Sequence, residues 1–284
     1  MRIGIGLPNQ VRDVRPAVIP GWAAAAEDAG FSSLGSVGRI AYPGVMDTVA
    51  LAAAAGTTSR IELVSNVLLG TVWPAELLAK EVAGIDGVSA GRLTLGLGIG
   101  ARPDDFVSEG LGLKDRGRRF DRDLQVYQNT WRGMPVGGGS SPAVPRGTRE
   151  VPLLFGGVAP ASFERMAKWG QGYVGASFSV EMVASAFDSA RSAWREHGRD
   201  GEPRLVAIAY FAFSDIDAGR ADVYDYYSNF GSDLASTLAA GVSGGAEAVK
   251  ATVKAFEALG ADDLILNPTV DDPDEVRLLA DAVL

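Results

Sequence analysis

Eight short apolar runs alternate with helix-like stretches from one end of this chain to the other, and no other feature of the sequence constrains its fold as much. The runs go from Ile3 to Leu7, Ser32 to Val37, Ile61 to Val67, Leu93 to Leu97, Pro152 to Phe155, Gly172 to Ala176, Leu205 to Phe213 and Asp263 to Asn267. Between them lie helical patterns such as Pro20 to Ala29, Met46 to Gly56, Ala75 to Ser89, Val180 to His197 and Ala246 to Leu259. Phe120, Leu124, Tyr127 and Trp131 fall at helical spacing on another. Such alternation is the mark of βα units and a parallel sheet. At 284 residues the chain accommodates a barrel of roughly 250 residues without a linker. The expectation is an α/β fold, a single (β/α)8 TIM barrel with insertions at the C-terminal face, forming one domain over residues 1–284.

Composition narrows the partners. The chain is 47% hydrophobic, yet no run approaches the ~20 apolar residues of a membrane span. It opens directly into the strand-like Arg2 to Leu7, so a soluble cytoplasmic protein without a membrane partner is expected. Zero cysteines exclude disulfides, thiolate metal sites and cysteine nucleophiles. A net charge of −9 argues against nucleic acid, whose binding is driven by Lys and Arg neutralising phosphates. The expected partner is a small-molecule substrate, and a homodimer stays open.

Two segments break the rhythm. Residues 133–150 are rich in Gly, Pro and Ser and too long for an ordinary connection, which marks a lid or a disordered segment, and residues 135–148 within them are expected to act as a lid. Residues 215–244 form an insertion after the seventh strand and carry Tyr224, Tyr226, Tyr227 and Phe230, beyond the strand end where barrel active sites are built. Both are expected to cover the mouth. In Gly96-Leu-Gly-Ile-Gly-Ala101, glycines stand where catalytic side chains would normally project, and bare backbone there suggests a wall for a flat ligand.

The strand ends present Pro8, Asn9 and Gln10; Gly38 and Arg39; Asn66 and Val67; Gly98 and Gly100; Gly156 and Gly157; Ser177; Ser214 and Asp215; and Asn267. Acids, bases and nucleophiles are scarce in this set. A metal-dependent hydrolase needs converging ligands, but His197, the one histidine, sits at a helix end, so no metal site is expected. A Schiff-base aldolase needs a strand lysine, whereas Lys80, Lys168, Lys250 and Lys254 read as helical and Lys114 as loop. A mouth poor in reactive side chains suggests that a bound cofactor carries the chemistry. Val151 to Ser162 offers it a seat, with a buried strand, two glycines and a helix with Pro160 near its first turn, whose free amides suit a phosphate.

The sequence resembles the luciferase-like flavin-dependent oxidoreductases, the superfamily of bacterial luciferase and the deazaflavin (coenzyme F-420) dependent barrel reductases. The resemblance covers nearly the whole chain. Its carriers are Ala29 to Leu34, Ser59 to Leu69, Leu78 to Leu93, the glycine strand, Arg116 to Asp121, the Gly156-Gly157 turn and Ala258 to Asn267. It implies FMN or coenzyme F-420 at the C-terminal mouth, with hydride transfer or oxygen insertion on a small organic substrate. On this basis Arg39 and Asn66 are assigned to catalysis. Leu7, Asn66, Val67, Gly98, Gly100, Gly156, Gly157 and Ser177 are assigned to the cofactor, and Asn9, Tyr226 and Tyr227 to the substrate pocket. Relatives imply a non-prolyl cis peptide or bulge at Asn66-Val67. Many members carry an acidic residue and a histidine at the end of the second strand, where this chain has Gly38-Arg39, so that proton donor does not carry over. Ile99 replaces the phosphate-binding arginine of luciferase. The alternatives are a barrel that binds flavin or a phosphoryl ligand without turnover, and a cofactor-free phosphosugar isomerase or lyase.

Overall fold

The computed structural model describes residues 1–177 and 179–284. Eight parallel strands, β1 (Arg2–Gly6), β2 (Ser33–Ser36), β3 (Glu62–Ser65), β4 (Leu93–Gly98), β5 (Leu153–Gly156), β6 (Gly172–Val174), β7 (Arg204–Ala212) and β8 (Asp263–Pro268), pair in chain order. The ring closes because β8 pairs with β7 on one side, from Asp263↔Val206 to Pro268↔Phe211, and with β1 on the other, from Arg2↔Asp263 to Ile5↔Leu266. The chain therefore forms the expected (β/α)8 barrel, with one strand on each expected run. Two-residue strands at Leu68–Leu69 and Ser243–Gly244 lengthen the sheet beside β4 and β7.

Helices α1 (Val18–Ala29), α2 (Asp47–Thr57), α3 (Ala75–Val88), α4 (Arg116–Trp131), α5 (Pro160–Trp169), α6 (Val180–Glu196), α7 (Ile216–Tyr227), α8 (Ser232–Ala240), α9 (Gly245–Ala258) and α10 (Asp274–Val283) follow the strands. Of these, α7 and α8 make up the insertion after β7. Alternation along each strand sends one set of side chains outward to the helices and the other inward. The outward set builds the main core. Phe120, Leu124, Tyr127 and Trp131 bury one face of α4, and the Trp22 indole of α1 donates to Gly6 O at 3.0 Å. Burying each such side chain is worth about 1.5–3 kcal/mol. The inward set forms a separate, smaller cluster of Val64, Leu154, Val174, Val206, Ile208 and Ile265.

Residues 133–150 do not reach the mouth. They follow α4 and lead into β5, and a helix-to-strand connection in a parallel barrel returns the chain to the N-terminal face. Arg149 pins the segment there, donating to both carboxylate oxygens of Asp86 at 2.9 and 2.7 Å and to Leu93 O at the start of β4. The expected lid role of this segment is overturned.

The barrel floor is ionic. Arg204 donates to Glu62 at 2.7 and 3.0 Å and to Asp263 at 2.8 Å, while Arg2 donates to Asp263 at 3.0 Å. Thr94 adds a hydroxyl to Glu62 at 2.7 Å. Because the Asp263 side chain is only 1% exposed, removing Arg204 leaves its carboxylate with the half-exposed Arg2 as the one described cation and strips Glu62 of its two-pronged partner. Arg204→Met is expected to cost about 3 kcal/mol, read as a lowered midpoint in urea unfolding.

Candidate active site at the barrel mouth

A cavity of about 160 Å³ opens at the C-terminal ends of the strands. Its walls come from successive strand-to-helix connections: Gly38 after β2, Asn66, Val67 and Leu69 after β3, Arg102 after β4, and Gly156 and Gly157 at β5. Val174 to Ser177 continue the wall from β6. Ile208 and Tyr210 come from β7, and Tyr226 and Tyr227 from α7. Ser177, Ile208 and Tyr210 also line a neighbouring hollow of about 220 Å³ that runs beneath α8 and α9, past Leu238 and Phe256. A wider hollow of about 380 Å³ between Asp121, Arg165 and His197 lies on the outer helices, away from every strand end. His197 follows α6, its Nδ1 2.9 Å from Ala193 O, where a helix terminus is expected.

The peptide between Asn66 and Val67 is cis, as the resemblance implies. Behind Val67 lie two glycines. A Cβ at Gly98 would stand 2.8 Å from Val67 Cγ2, and one at Gly156 3.0 Å from Val67 Cγ1. The wall of the mouth is therefore the valine side chain, seated on glycine backbone. Gly98 and Gly100 do not line the cavity themselves. Gly96 lies deeper, where a Cβ would meet Ser65 O at 2.0 Å. Gly100 has a φ of +66° and turns the chain against Phe106. Close packing within the barrel accounts for the first two glycines and backbone conformation for the third.

The remaining expected site residues divide into those that face the cavity and those that brace it. Asn66 lines the cavity, its Nδ2 3.4 Å from Asn267 Oδ1, and its own Oδ1 is buried without a partner among the described residues. Ser177 Oγ is likewise buried with no partner among the described residues. Asn9 is spent on the framework, donating to Val37 O and Val45 O and accepting from Val37 N. Leu7 sits behind Tyr210 and Tyr226 in a small hollow. Arg39 does not line the cavity. Its guanidinium is 1% exposed, donates to Asp105 Oδ1 at 3.0 Å and to Ala41 O, and lies under the rings of Tyr42 and Tyr226.

Two lining residues with polar side chains, Tyr210 and Arg102, were not among the expected site residues, nor were the apolar Leu69, Val174 and Ile208. Tyr210 is hidden within the apolar run of β7, but its inward position brings its hydroxyl 2.9 Å from the Tyr227 hydroxyl. Arg102 follows the glycine strand and packs its guanidinium 4.6 Å from the Tyr226 ring centre, 5.5 Å from that of Tyr227 and 4.5 Å from that of Phe230. Burial pushes the Tyr210 and Tyr226 phenols well above their ordinary range, so both remain neutral hydrogen-bond donors.

Helix α7 is tied across the rim by other loops. Arg12 donates through its backbone to Asp222 and through its side chain to Asp225, and the Tyr42 hydroxyl also donates to Asp225. Burial, with the nearby Asp225 charge adding to it, raises the Asp222 carboxyl to about 7 against the opposing pull of the Arg12 amide and charge. An acid with a raised folded-state pKa stabilises the fold in its protonated form, and that contribution is lost as pH climbs from about 4 to about 7. Asp222→Asn keeps the acceptor for the Arg12 amide. It is expected to raise the thermal midpoint over wild type at pH 8, with the gap closing towards pH 4.

Several known proteins share this architecture. The family model described as luciferase-like monooxygenase matches residues 1–277. An uncharacterized protein of Mycobacterium tuberculosis is 29% identical over 169 residues, which is 56% of this chain and 60% of that relative, so the match spans less than two thirds of its length. Among solved structures, an F420-dependent secondary alcohol dehydrogenase in complex with an F420-acetone adduct superposes with a TM-score of 0.79 at 14% identity, covering 99% of this chain and 98% of that one. A monooxygenase from Streptomyces bottropensis gives 0.75 at 21% identity, covering 100% and 98%. The FMN complex of the oxygenating constituent of 3,6-diketocamphane monooxygenase from Pseudomonas putida gives 0.75 at 16%, covering 99% and 96%. These likenesses establish a common fold, and the family match over residues 1–277 establishes that the chain belongs to the luciferase-like monooxygenases.

Proposed function

We propose that the chain is an oxidoreductase that holds FMN or the deazaflavin coenzyme F-420 in the barrel mouth and acts there on a small organic substrate. The observation that carries this reading is the combination of a flat apolar platform and orphaned polar atoms in one cavity. Val67 is seated against Gly98 and Gly156, and around it Asn66 Oδ1 and Ser177 Oγ are buried without a partner among the described residues. Buried polar groups without partners are costly, and a ring system bearing carbonyl and N–H groups would satisfy them. The structural neighbours include proteins with each cofactor, and the choice between them stays open.

When bound, such a cofactor supplies hydride transfer or, with FMN, the activation of oxygen. The chain's residues supply the rest. Gly156, Gly157 and the start of α5 would take the phosphate, since α5 has no side-chain cap and its positive end favours an anion by roughly 0.3–1 kcal/mol. Ser177 adds a hydroxyl beside them. Tyr226 and Tyr227 close the mouth from α7 and exclude water. The paired hydroxyls of Tyr210 and Tyr227 hold a proton at the cavity wall, where no carboxylate, histidine or lysine lines the described cavity. That absence disfavours a cofactor-free isomerase, which would need a base in the mouth.

Fluorescence titration of the purified chain with FMN and with coenzyme F-420 tests the reading. Gly157→Asp is expected to weaken binding of the preferred cofactor by well over tenfold with the barrel still folded. Gly157 has a φ of +113° and a Cβ there would stand 2.7 Å from Ser162 Oγ, so Gly157→Ala reports strain and bulk without charge. A Gly157→Asp protein that folds and binds both cofactors like wild type would defeat the phosphate assignment.

A further inference from the structure

Among the described residues that line the mouth, Arg102 alone carries a charged side chain, and no described residue neutralises it. Arg102 is half-buried at the rim, and no described Asp or Glu oxygen lies within ion-pair distance of it. In this it differs from its neighbour Arg39, whose charge is balanced by Asp105 and Asp104 and which also donates to Ala41 O. A guanidinium has five N–H donors. Arg102 uses Nη2 to donate to Tyr226 O at 3.0 Å, while Nε is buried with no acceptor. Three aromatic rings hold the planar group in place, with centres 4.5 to 5.5 Å away. Nη1 donates to no described acceptor and, unlike Nε, is not sealed from solvent, so the outer edge of the guanidinium can still donate to a ligand.

We propose that the substrate of this mouth carries a carboxylate or a similar planar oxyanion, and that Arg102 is the residue that selects it. The proposal rests on the oxidoreductase reading and deepens it by naming the substrate class. A fixed guanidinium fork pairs with two oxygens of a planar anion at once, which a single neutral carbonyl cannot match. The phenol of Tyr226, kept neutral by burial, and the ring of Tyr227 beside it accept an aromatic or aliphatic body. The cofactors also carry anionic oxygens, so the test must separate the two sources.

Benzoate and its neutral counterpart benzamide serve as probes, titrated calorimetrically into the purified chain with and without saturating FMN or coenzyme F-420. Wild type is expected to bind benzoate at least tenfold more tightly than benzamide. Arg102→Met is expected to abolish that preference while changing cofactor affinity by less than about threefold, and Arg102→Lys to retain a charge-dependent part of it. Equal binding of the two probes by wild type, or a preference that survives in Arg102→Met, would overturn the proposal. A tenfold loss of cofactor affinity in Arg102→Met with the benzoate preference intact would give the guanidinium to the cofactor and overturn it equally. The cofactor titration reads the oxidoreductase assignment and the probe pair reads this one, so either can fail alone.

Discussion

Eight strands closed into one ring leave little space inside. A Cβ at Gly172 would stand 1.9 Å from Arg204 O, just as one at Gly96 would collide with Ser65 O. The lower barrel is filled by branched apolar side chains and by the Arg204 ion cluster, and several inward positions admit nothing larger than glycine. Crowding of this kind leaves few strand positions for bulky polar side chains, with Tyr210 on β7 an exception. Much of the mouth's polar equipment therefore comes from connections, with Arg102 from the loop after β4 and Tyr226 and Tyr227 from α7.

The strands were legible because each is a local apolar run, and a parallel barrel repeats that signal eight times. Site residues were legible where backbone conformation leaves a mark in the sequence, as at Gly156-Gly157 before Pro160. They were not legible where a side chain's role depends on a distant partner. Arg39 reads as a free cation at a strand end until Asp105, 66 positions away, is found against it. Asn9 reads as a polar group facing the mouth until its three bonds to Val37 and Val45 are seen. The misplacement of residues 133–150 has another cause, because Gly, Pro and Ser report a long irregular loop but not which face of the barrel it covers. Its position between a helix and the following strand carries that information.

The rim behaves as one mechanical unit. Tyr226 packs edge-on against Tyr42 and Tyr227, Arg39 and Arg102 lie against its ring, and α7 is bonded to the β1 and β2 loops through Asp222 and Asp225. Groups that share partners in this way do not contribute additively, so paired substitutions on the rim carry coupling energies that single ones conceal.

The segment held by Arg149 at the opposite end has a practical consequence. Gly137 to Pro142 are exposed, and added side-chain atoms at Gly137 and Gly138 would meet nothing within 4 Å. An inserted peptide, a label or a surface linkage placed there would hang from the closed end of the barrel with the mouth facing away from it. The chain thus offers a tether point that leaves its open end clear for exchange with solvent.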